Sequence, residues 1–133
     1  KKFEKAAEGL QSWMPRVDRL ITSPLTRAVE TAQILTNVAG WPPAEESEAL
    51  APEATPDAVL AVIRARRVSS VALVGHEPAL SVLARTLLVG TSDVPSLAFR
   101  KGGVCHVRFD SAVRAGAGNL IAFVPPRILR AMR

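Results

Sequence analysis

Two short segments of this chain carry side chains that are suited to binding phosphate. The first ends at Arg27, in Ser23-Pro24-Leu25-Thr26-Arg27, and its planar guanidinium can donate two parallel hydrogen bonds to a phosphate group. Ser-Pro is typical of a helix start, so the sequence places Arg27 in a first helical turn, where free backbone amides attract anions. Alternatively, Arg27 is an ordinary exposed arginine or the partner of a carboxylate.

The second segment contains His76, in Gly75-His76-Glu77-Pro78, directly after an apolar run. Glycine permits an unusual turn there, and proline favours the start of another helix. An imidazole in this position is typical of a reacting group, although capping the helix or packing against the loop would explain it equally well. The other histidine, His106, lies within a predicted strand, and we interpret it as structural.

Other chemistries find no support in the motifs. The two histidines are far apart, Cys105 is the single cysteine, and the glycine-rich loops of nucleotide sites are absent, so we expect no metal and no nucleotide cofactor. Ser23 and Ser81 lie closest to the two segments, but neither is in the G-x-S-x-G turn of serine hydrolases. We interpret Cys105 as a small apolar residue of a strand.

Strands and helices alternate along the sequence, and they must position these two segments. Apolar spacing predicts helices over 3–14, 24–38 and 79–88, a further helix from Pro56, and a short closing helix after Pro125-Pro126. It predicts strands over 17–22, 70–74, 104–109 and 120–124, and it allows a short strand in the acidic connection 45–50. The run at 70–74 is apolar nearly throughout and is expected to be covered on both faces.

This order of elements predicts a single α/β domain over residues 1–133. We expect a three-layer sandwich in which a mostly parallel central sheet is flanked by helices and an antiparallel hairpin lies toward one edge. In such sheets, ligands bind at the carboxyl ends of the strands. Arg27 and His76 each follow a strand, so we expect them to converge on one anion.

The composition is that of an ordinary globular domain. Of 133 residues, 48% are hydrophobic and 22% are charged, and no apolar run reaches the roughly 20 residues that a membrane-spanning helix requires. We expect a cytoplasmic protein with no membrane partner. The net charge of +5 comes mainly from positions 95–133, which contain seven Lys and Arg residues and one acid, Asp110. This excess is either a solvated basic face or a surface for an anionic substrate or an acidic protein, since scattered arginines with few aromatic residues argue against nucleic acid.

Taken together, the two segments resemble the histidine phosphatase superfamily, which includes phosphoglycerate mutases and acid phosphatases. The resemblance rests on Ser23-Pro24-Leu25-x-Arg27-Ala28-x-x-Thr31-Ala32 followed by Val74-Gly75-His76-Glu77-Pro78. Leu50-x-Pro52, Lys101-Gly102-Gly103 and Pro125-Pro126 are similar to its small SixA-type phosphohistidine phosphatase branch, so the resemblance covers nearly the whole chain. Glu30 departs from it, because many relatives have glutamine there.

The resemblance implies a covalent mechanism without a metal. In the family, the histidine of an Arg-His turn after the first strand attacks phosphorus, and the phosphohistidine that forms is then hydrolysed. Arg27 would hold the phosphoryl oxygens, and His76 would add hydrogen bonding and positive charge in the transition state. Neither histidine of this chain follows an arginine, so the nucleophilic histidine is not among residues 1–133. We expect roughly 25–35 further residues, with that strand and turn, before Lys1.

The activity implied by the resemblance is hydrolysis of phosphohistidine in a partner protein, such as a histidine phosphotransfer domain. The P–N bond of phosphohistidine is labile, and its imidazole leaves readily. Two alternatives stay open: a non-catalytic phosphate-binding module that docks an acidic partner, and a phosphatase of small phosphorylated molecules such as sugar phosphates. We assign no general acid, since Glu45, Glu46 and Glu48 are interpreted as a solvated acidic loop.

Overall fold

A computed structural model of the protein describes residues 2–91 and 103–132. Its helices are α1 (Lys2–Trp13), α2 (Thr26–Ala39), α3 (Pro56–Arg66), α4 (Ala79–Val89) and α5 (Pro126–Ala131), with a 3-10 turn at Glu48–Leu50. Its strands are β1 (Arg19–Thr22), β2 (Ala44–Glu46), β3 (Val71–Val74), β4 (Val104–Arg108) and β5 (Asn119–Val124). Every predicted element is therefore present, with its ends shifted by a few residues. The Lys101-Gly102 pair of the family resemblance lies outside the described residues.

β1 lies at the centre of a parallel sheet with the strand order β2-β1-β3. Leu20 is opposite Ala44 on one side and Ala72 on the other. β4 and β5 pair antiparallel, with Cys105 opposite Phe123, and within the described residues this hairpin is not hydrogen-bonded to the parallel sheet. The sequence prediction of parallel strands accompanied by an antiparallel hairpin is confirmed.

Apolar side chains form a core on each face of the parallel sheet. Adjacent residues of a strand point to opposite faces, so Leu20 and Ile21 of β1 enter different cores. The core around Leu20 is made with buried residues of α1, α2 and α5, namely Ala6, Ala7, Leu10, Ala32, Leu35, Ala39 and Leu129. The core around Ile21 contains Leu50 and buried residues of α3 and α4, namely Val59, Leu60, Leu83 and Leu87. Helices thus cover both faces, which confirms the three-layer α/β sandwich.

The strand before His76 is covered on both faces, as predicted, but its side chains are only half-buried. Ala72 and Val74 pack against the core around Leu20, and Val71 and Leu73 pack against the core around Ile21. All residues of β3, Val71–Val74, are half-buried, whereas Leu20 and Ile21 of β1 are fully buried. β3 lies at an edge of its sheet, because within residues 2–91 and 103–132 it pairs with β1 alone. An apolar run indicates that side chains favour burial, but it does not reveal how many neighbouring strands cover them.

The start of α2 also differs from the prediction. The helix begins at Thr26 with Leu25 at its N-cap, and no side chain caps it. The Ser23 hydroxyl instead accepts a hydrogen bond from the Leu25 amide at 3.2 Å. Ser23 therefore shapes the turn between β1 and α2, and Arg27 becomes the second residue of the helix.

Candidate active site

The parallel register brings the two predicted segments to the same rim of the sheet. Thr22 and Val74, the last residues of β1 and β3, are register partners. The pairing extends one residue further, because the Ser23 amide donates to the Val74 carbonyl at 2.9 Å. The turn that leads to Arg27 therefore leaves the sheet beside the turn that contains His76.

A side-chain hydrogen bond joins these two turns. His76 Nε2 lies 2.7 Å from Ser23 Oγ, across 53 positions of sequence. Ser23 is fully buried, and His76 is half-buried. The His76 carbonyl also accepts from the Leu80 amide at 2.9 Å, which ties the residue to the start of α4. Sequence reasoning missed the Ser23–His76 contact, because periodicity and local motifs carry no signal for it.

An apolar recess adjoins His76 on the side of α3 and α4. Its walls include Gly75 and the side chains of Leu50, Pro56, Val59, Leu80 and Leu83. The ring therefore lies between a polar contact with Ser23 and an apolar wall.

Arg27 is exposed in the first turn of α2. In the described part of the chain its guanidinium forms no ion pair and no side-chain hydrogen bond, so the carboxylate-paired alternative does not hold. The first turn of α2 contains no acidic residue. The N-terminal end of the helix dipole and the Arg27 guanidinium thus both place positive charge at the start of α2. Convergence of Arg27 and His76 on one anion stays a prediction.

Ser81 supports the loop that follows His76. Its hydroxyl donates to Glu77 Oε1 at 2.6 Å, from the first turn of α4. Ser81 is buried, whereas Glu77 is exposed. This serine, one of the two hydroxyls closest to the predicted segments, therefore has a structural partner at the edge of the site.

The prediction of a solvated acidic loop is wrong for Glu45 and correct for its neighbours. Glu46 and Glu48 are exposed, but Glu45 is half-buried in β2 and accepts hydrogen bonds from Arg19 Nε and, at 3.0 Å, from Arg66 Nη2. These arginines, Arg19 above all, hold the pKa of the Glu45 carboxyl below its ordinary value, although burial acts in the opposite direction. Glu45 is therefore held ionised and is unsuited to donating a proton near neutral pH.

His106 and Cys105 lie in β4, the strand in which the sequence analysis placed both. The His106 ring meets the Trp13 ring edge-on, with their centroids 6.2 Å apart. Within the described residues, the buried His106 Nδ1 has no hydrogen-bond partner. Burial raises the pKa of the Cys105 thiol to about 11, so the reactive thiolate is scarce at neutral pH.

The described ranges, 2–91 and 103–132, contain neither a membrane-spanning helix nor a cluster of metal ligands. No helix in them combines the length and the apolar character needed to cross a membrane. No group of three or more His, Cys, Asp or Glu side chains in them is arranged to hold a metal ion.

Comparison with known proteins identifies the fold. No protein-family model and no curated protein matches the chain. Among solved structures, it superposes on the protein histidine phosphatase SixA, determined in complex with tungstate, with a TM-score of 0.77 and 23% sequence identity, over 96% of this chain and 80% of the other. SixA from Agrobacterium tumefaciens superposes with a TM-score of 0.75 and 22% identity, over 94% of this chain and 78% of that one. The chain therefore has the fold of the SixA proteins, in agreement with the motif resemblance.

Proposed function

We propose that this protein is a metal-independent phosphatase that hydrolyses phosphohistidine in a partner protein through a phosphohistidine enzyme intermediate. The observation that carries the proposal is the rim of the sheet, where the Ser23–His76 hydrogen bond joins two turns. An exposed Arg27, which has no ion-pair partner among the described residues, follows one of these turns. A guanidinium and an imidazole at adjacent strand ends, beside a helix N-terminus, suit a phosphoryl group. One solved protein of this fold was determined with tungstate, a tetrahedral oxyanion like phosphate.

Each residue has a distinct role in this proposal. Arg27 binds two phosphoryl oxygens through its planar fork and neutralises their charge. His76 donates a hydrogen bond to a phosphoryl oxygen as negative charge shifts in the transition state. Both groups stabilise charge, and neither forms the covalent bond to phosphorus.

We propose further that the nucleophilic histidine belongs to a strand outside residues 1–133 that pairs with β3 along the edge that is unpaired within the described residues. His106 packs against Trp13, and His76 is held by Ser23, so both histidines of the chain have other contacts. Val74 of β3 and Val104 of β4 pack against the same core, yet within the described residues their strands share no hydrogen bonds. An additional strand between them would pair both edges and cover the half-buried β3.

The chemistry of the leaving group favours phosphohistidine over a phosphate ester as the substrate. An alkoxide leaves poorly unless a carboxylic acid protonates it, whereas imidazole leaves readily from a phosphoamide. Glu45 is ion-paired and held ionised. Glu45 is therefore not assigned as a general acid, and with no general acid assigned the proposal favours a substrate that needs little acid catalysis.

Replacement of the two proposed phosphate ligands tests the function directly. Arg27→Ala and His76→Ala should each reduce the kcat/KM of the full-length protein on a phosphohistidine protein by about 100-fold or more, since each removes a donor that stabilises transition-state charge. Phosphate release gives the rate, and thermal unfolding monitors the fold. Arg16→Ala is the matched control, because Arg16 is also exposed but precedes β1, at the opposite end of the sheet.

Loss of stability in step with loss of activity would contradict these roles, and so would equal effects of Arg27→Ala and Arg16→Ala. The absence of an Arg-His pair from residues 1–133 favours a second candidate, a phosphate-binding module without turnover. That candidate predicts protection against heat by vanadate or phosphate with no detectable hydrolysis. Faster turnover of sugar phosphates than of a phosphohistidine protein would instead identify a small-molecule phosphatase.

A further inference from the structure

We propose that Ser23 is a positioning residue that holds His76 in the tautomer with its proton on Nδ1. The catalytic consequence of this inference rests on the proposed function, but the tautomer itself does not. The contact at issue is the 2.7 Å separation between Ser23 Oγ and His76 Nε2.

Hydrogen bonds of its backbone amide and carbonyl hold Ser23 in place. Its amide donates to the Val74 carbonyl at 2.9 Å, which continues the ladder between β1 and β3. Its carbonyl accepts from Thr22 Oγ1 at 3.0 Å. Ser23 and Thr22 are both 0% exposed, so water does not compete for these groups. The hydroxyl therefore has a defined position relative to the strand that leads to His76.

The proton of the Ser23 hydroxyl requires an acceptor. Serine has one donor hydrogen and two acceptor lone pairs. One lone pair accepts the Leu25 amide at 3.2 Å, which cannot take the proton. Within the described residues, His76 Nε2 is the remaining hydrogen-bond partner of Ser23 Oγ. If Nε2 carried a proton, it would donate to the second lone pair of Ser23 Oγ, and the buried hydroxyl proton would then have no acceptor among the described residues, an arrangement that buried polar groups avoid.

The neutral ring consequently accepts at Nε2 and carries its proton on Nδ1. The two nitrogens of an imidazole point in divergent directions, so Nδ1–H is directed away from Ser23. This leaves a single hydrogen-bond donor with a fixed orientation for a phosphoryl oxygen. Ser23 thus acts through His76, in the way that the partner of a histidine ligand fixes the tautomer and orientation of its ring.

Nitrogen-15 NMR of the imidazole side chains tests the tautomer in the full-length protein. Residues 1–133 contain only two histidines, and the signals absent from His76→Gln belong to residue 76. At a pH where the ring is neutral, we expect wild-type His76 to show a protonated Nδ1 and an unprotonated Nε2. Ser23→Ala should abolish this preference and give a mixture of tautomers. A protonated Nε2 in the wild type would overturn the proposal without any variant, and so would an unchanged spectrum in Ser23→Ala.

Kinetics separate positioning from a merely structural role. Ser23→Ala should lower kcat on the order of 10- to 100-fold, with little change in KM. Loss of a group that orients a metal-binding histidine has an effect of this size in other proteins. Ser70→Ala is the matched control, because its hydroxyl accepts from the Asp18 amide at 2.9 Å at the opposite end of the same two strands. That variant should alter neither kcat nor the His76 spectrum. A wild-type protein without phosphatase activity would refute the proposed function while leaving the tautomer result intact.

Discussion

The carboxylate of Glu45 is shared by two arginines from different parts of the chain. Arg19 begins β1, and Arg66 ends α3, so the three side chains tie β2 to its neighbours on the sheet and in the helical layer. Arg19 is the largest cause of the lowered pKa of Glu45. A folded-state pKa below the unfolded value means that the ionised carboxylate stabilises the protein.

We predict that Glu45→Gln lowers the melting temperature by about 2–4 °C at pH 7, because exposed and half-exposed ion pairs contribute modestly to stability. The contribution of Glu45 is complete above the unfolded glutamate pKa and is lost as the pH falls through the lowered folded pKa. The difference between variant and wild type should therefore shrink in acid. Thermal unfolding from pH 7 to pH 3 measures it, with Glu46→Gln as the control at an exposed neighbour. A difference that grows in acid would contradict the assignment.

At the scale of elements, the contact between α1 and α5 depends on a glycine. A Cβ atom added at Gly9 would lie 1.9 Å from the Leu129 carbonyl oxygen and 2.9 Å from its carbonyl carbon. These are backbone atoms, so a side-chain rotation could not relieve the clash. Leu129 is itself fully buried in the core around Leu20. The close approach of the two helices therefore requires a residue without a side chain.

Gly9→Ala should reduce the free energy of unfolding by roughly 1–3 kcal/mol, the usual cost of overpacking a core. In an exposed helix the same substitution would stabilise by roughly 0.5–1 kcal/mol, so the sign of the effect is diagnostic. Urea unfolding measures it, and Gln11→Ala, at an exposed position of α1, gives the helix-propensity effect alone. An increase in stability for Gly9→Ala would show that α1 and α5 are not in close contact.

The edges of β3 and β4 are the second feature at this scale. Their apolar residues Ala72, Val74 and Val104 pack against the core around Leu20, although within the described residues the two strands are not paired. Core packing and strand pairing are separate requirements. Apolar contacts have no preferred direction, whereas backbone hydrogen bonds need a defined geometry. This combination is the reason for proposing an additional strand there.

At the scale of the whole molecule, the chain carries an excess of positive charge, and the proposed site binds an anion. The net charge of +5 raises the local concentration of anions, but it does not choose where they bind. In the proposed site, the exposed Arg27 in the first turn of α2 provides the specific contact. Global charge and local geometry can be distinguished by their response to salt.

We predict that phosphate or tungstate raises the melting temperature of the wild-type protein and has a much smaller effect on Arg27→Ala. Ligand at about 100 times its Kd stabilises a folded protein by roughly 2.7 kcal/mol, which corresponds to several degrees for a domain of this size. Thermal unfolding in sodium chloride of equal ionic strength is the control for nonspecific screening. Equal stabilisation of wild type and Arg27→Ala would show that the anions bind elsewhere.

The sequence by itself determined the positions of the helices and strands, and it determined which strand ends carry the candidate phosphate-binding residues. Apolar periodicity fixes where strands and helices form, and the segments at Arg27 and His76 stand directly after β1 and β3, at one rim of the sheet. The fold class followed from the order of these elements, because alternating strands and helices pack as a parallel sheet covered on both faces.

Tertiary structure alone decided which side chains meet. The Ser23–His76 hydrogen bond joins residues 53 positions apart, and the pairing of Glu45 with Arg19 and Arg66 joins three separate elements. The half-burial of β3 depends on which strands flank it rather than on its own apolar residues. Periodicity is a property of one segment, whereas contact geometry arises only when several segments pack, and the roles of Ser23 and Glu45 were therefore not visible in the sequence.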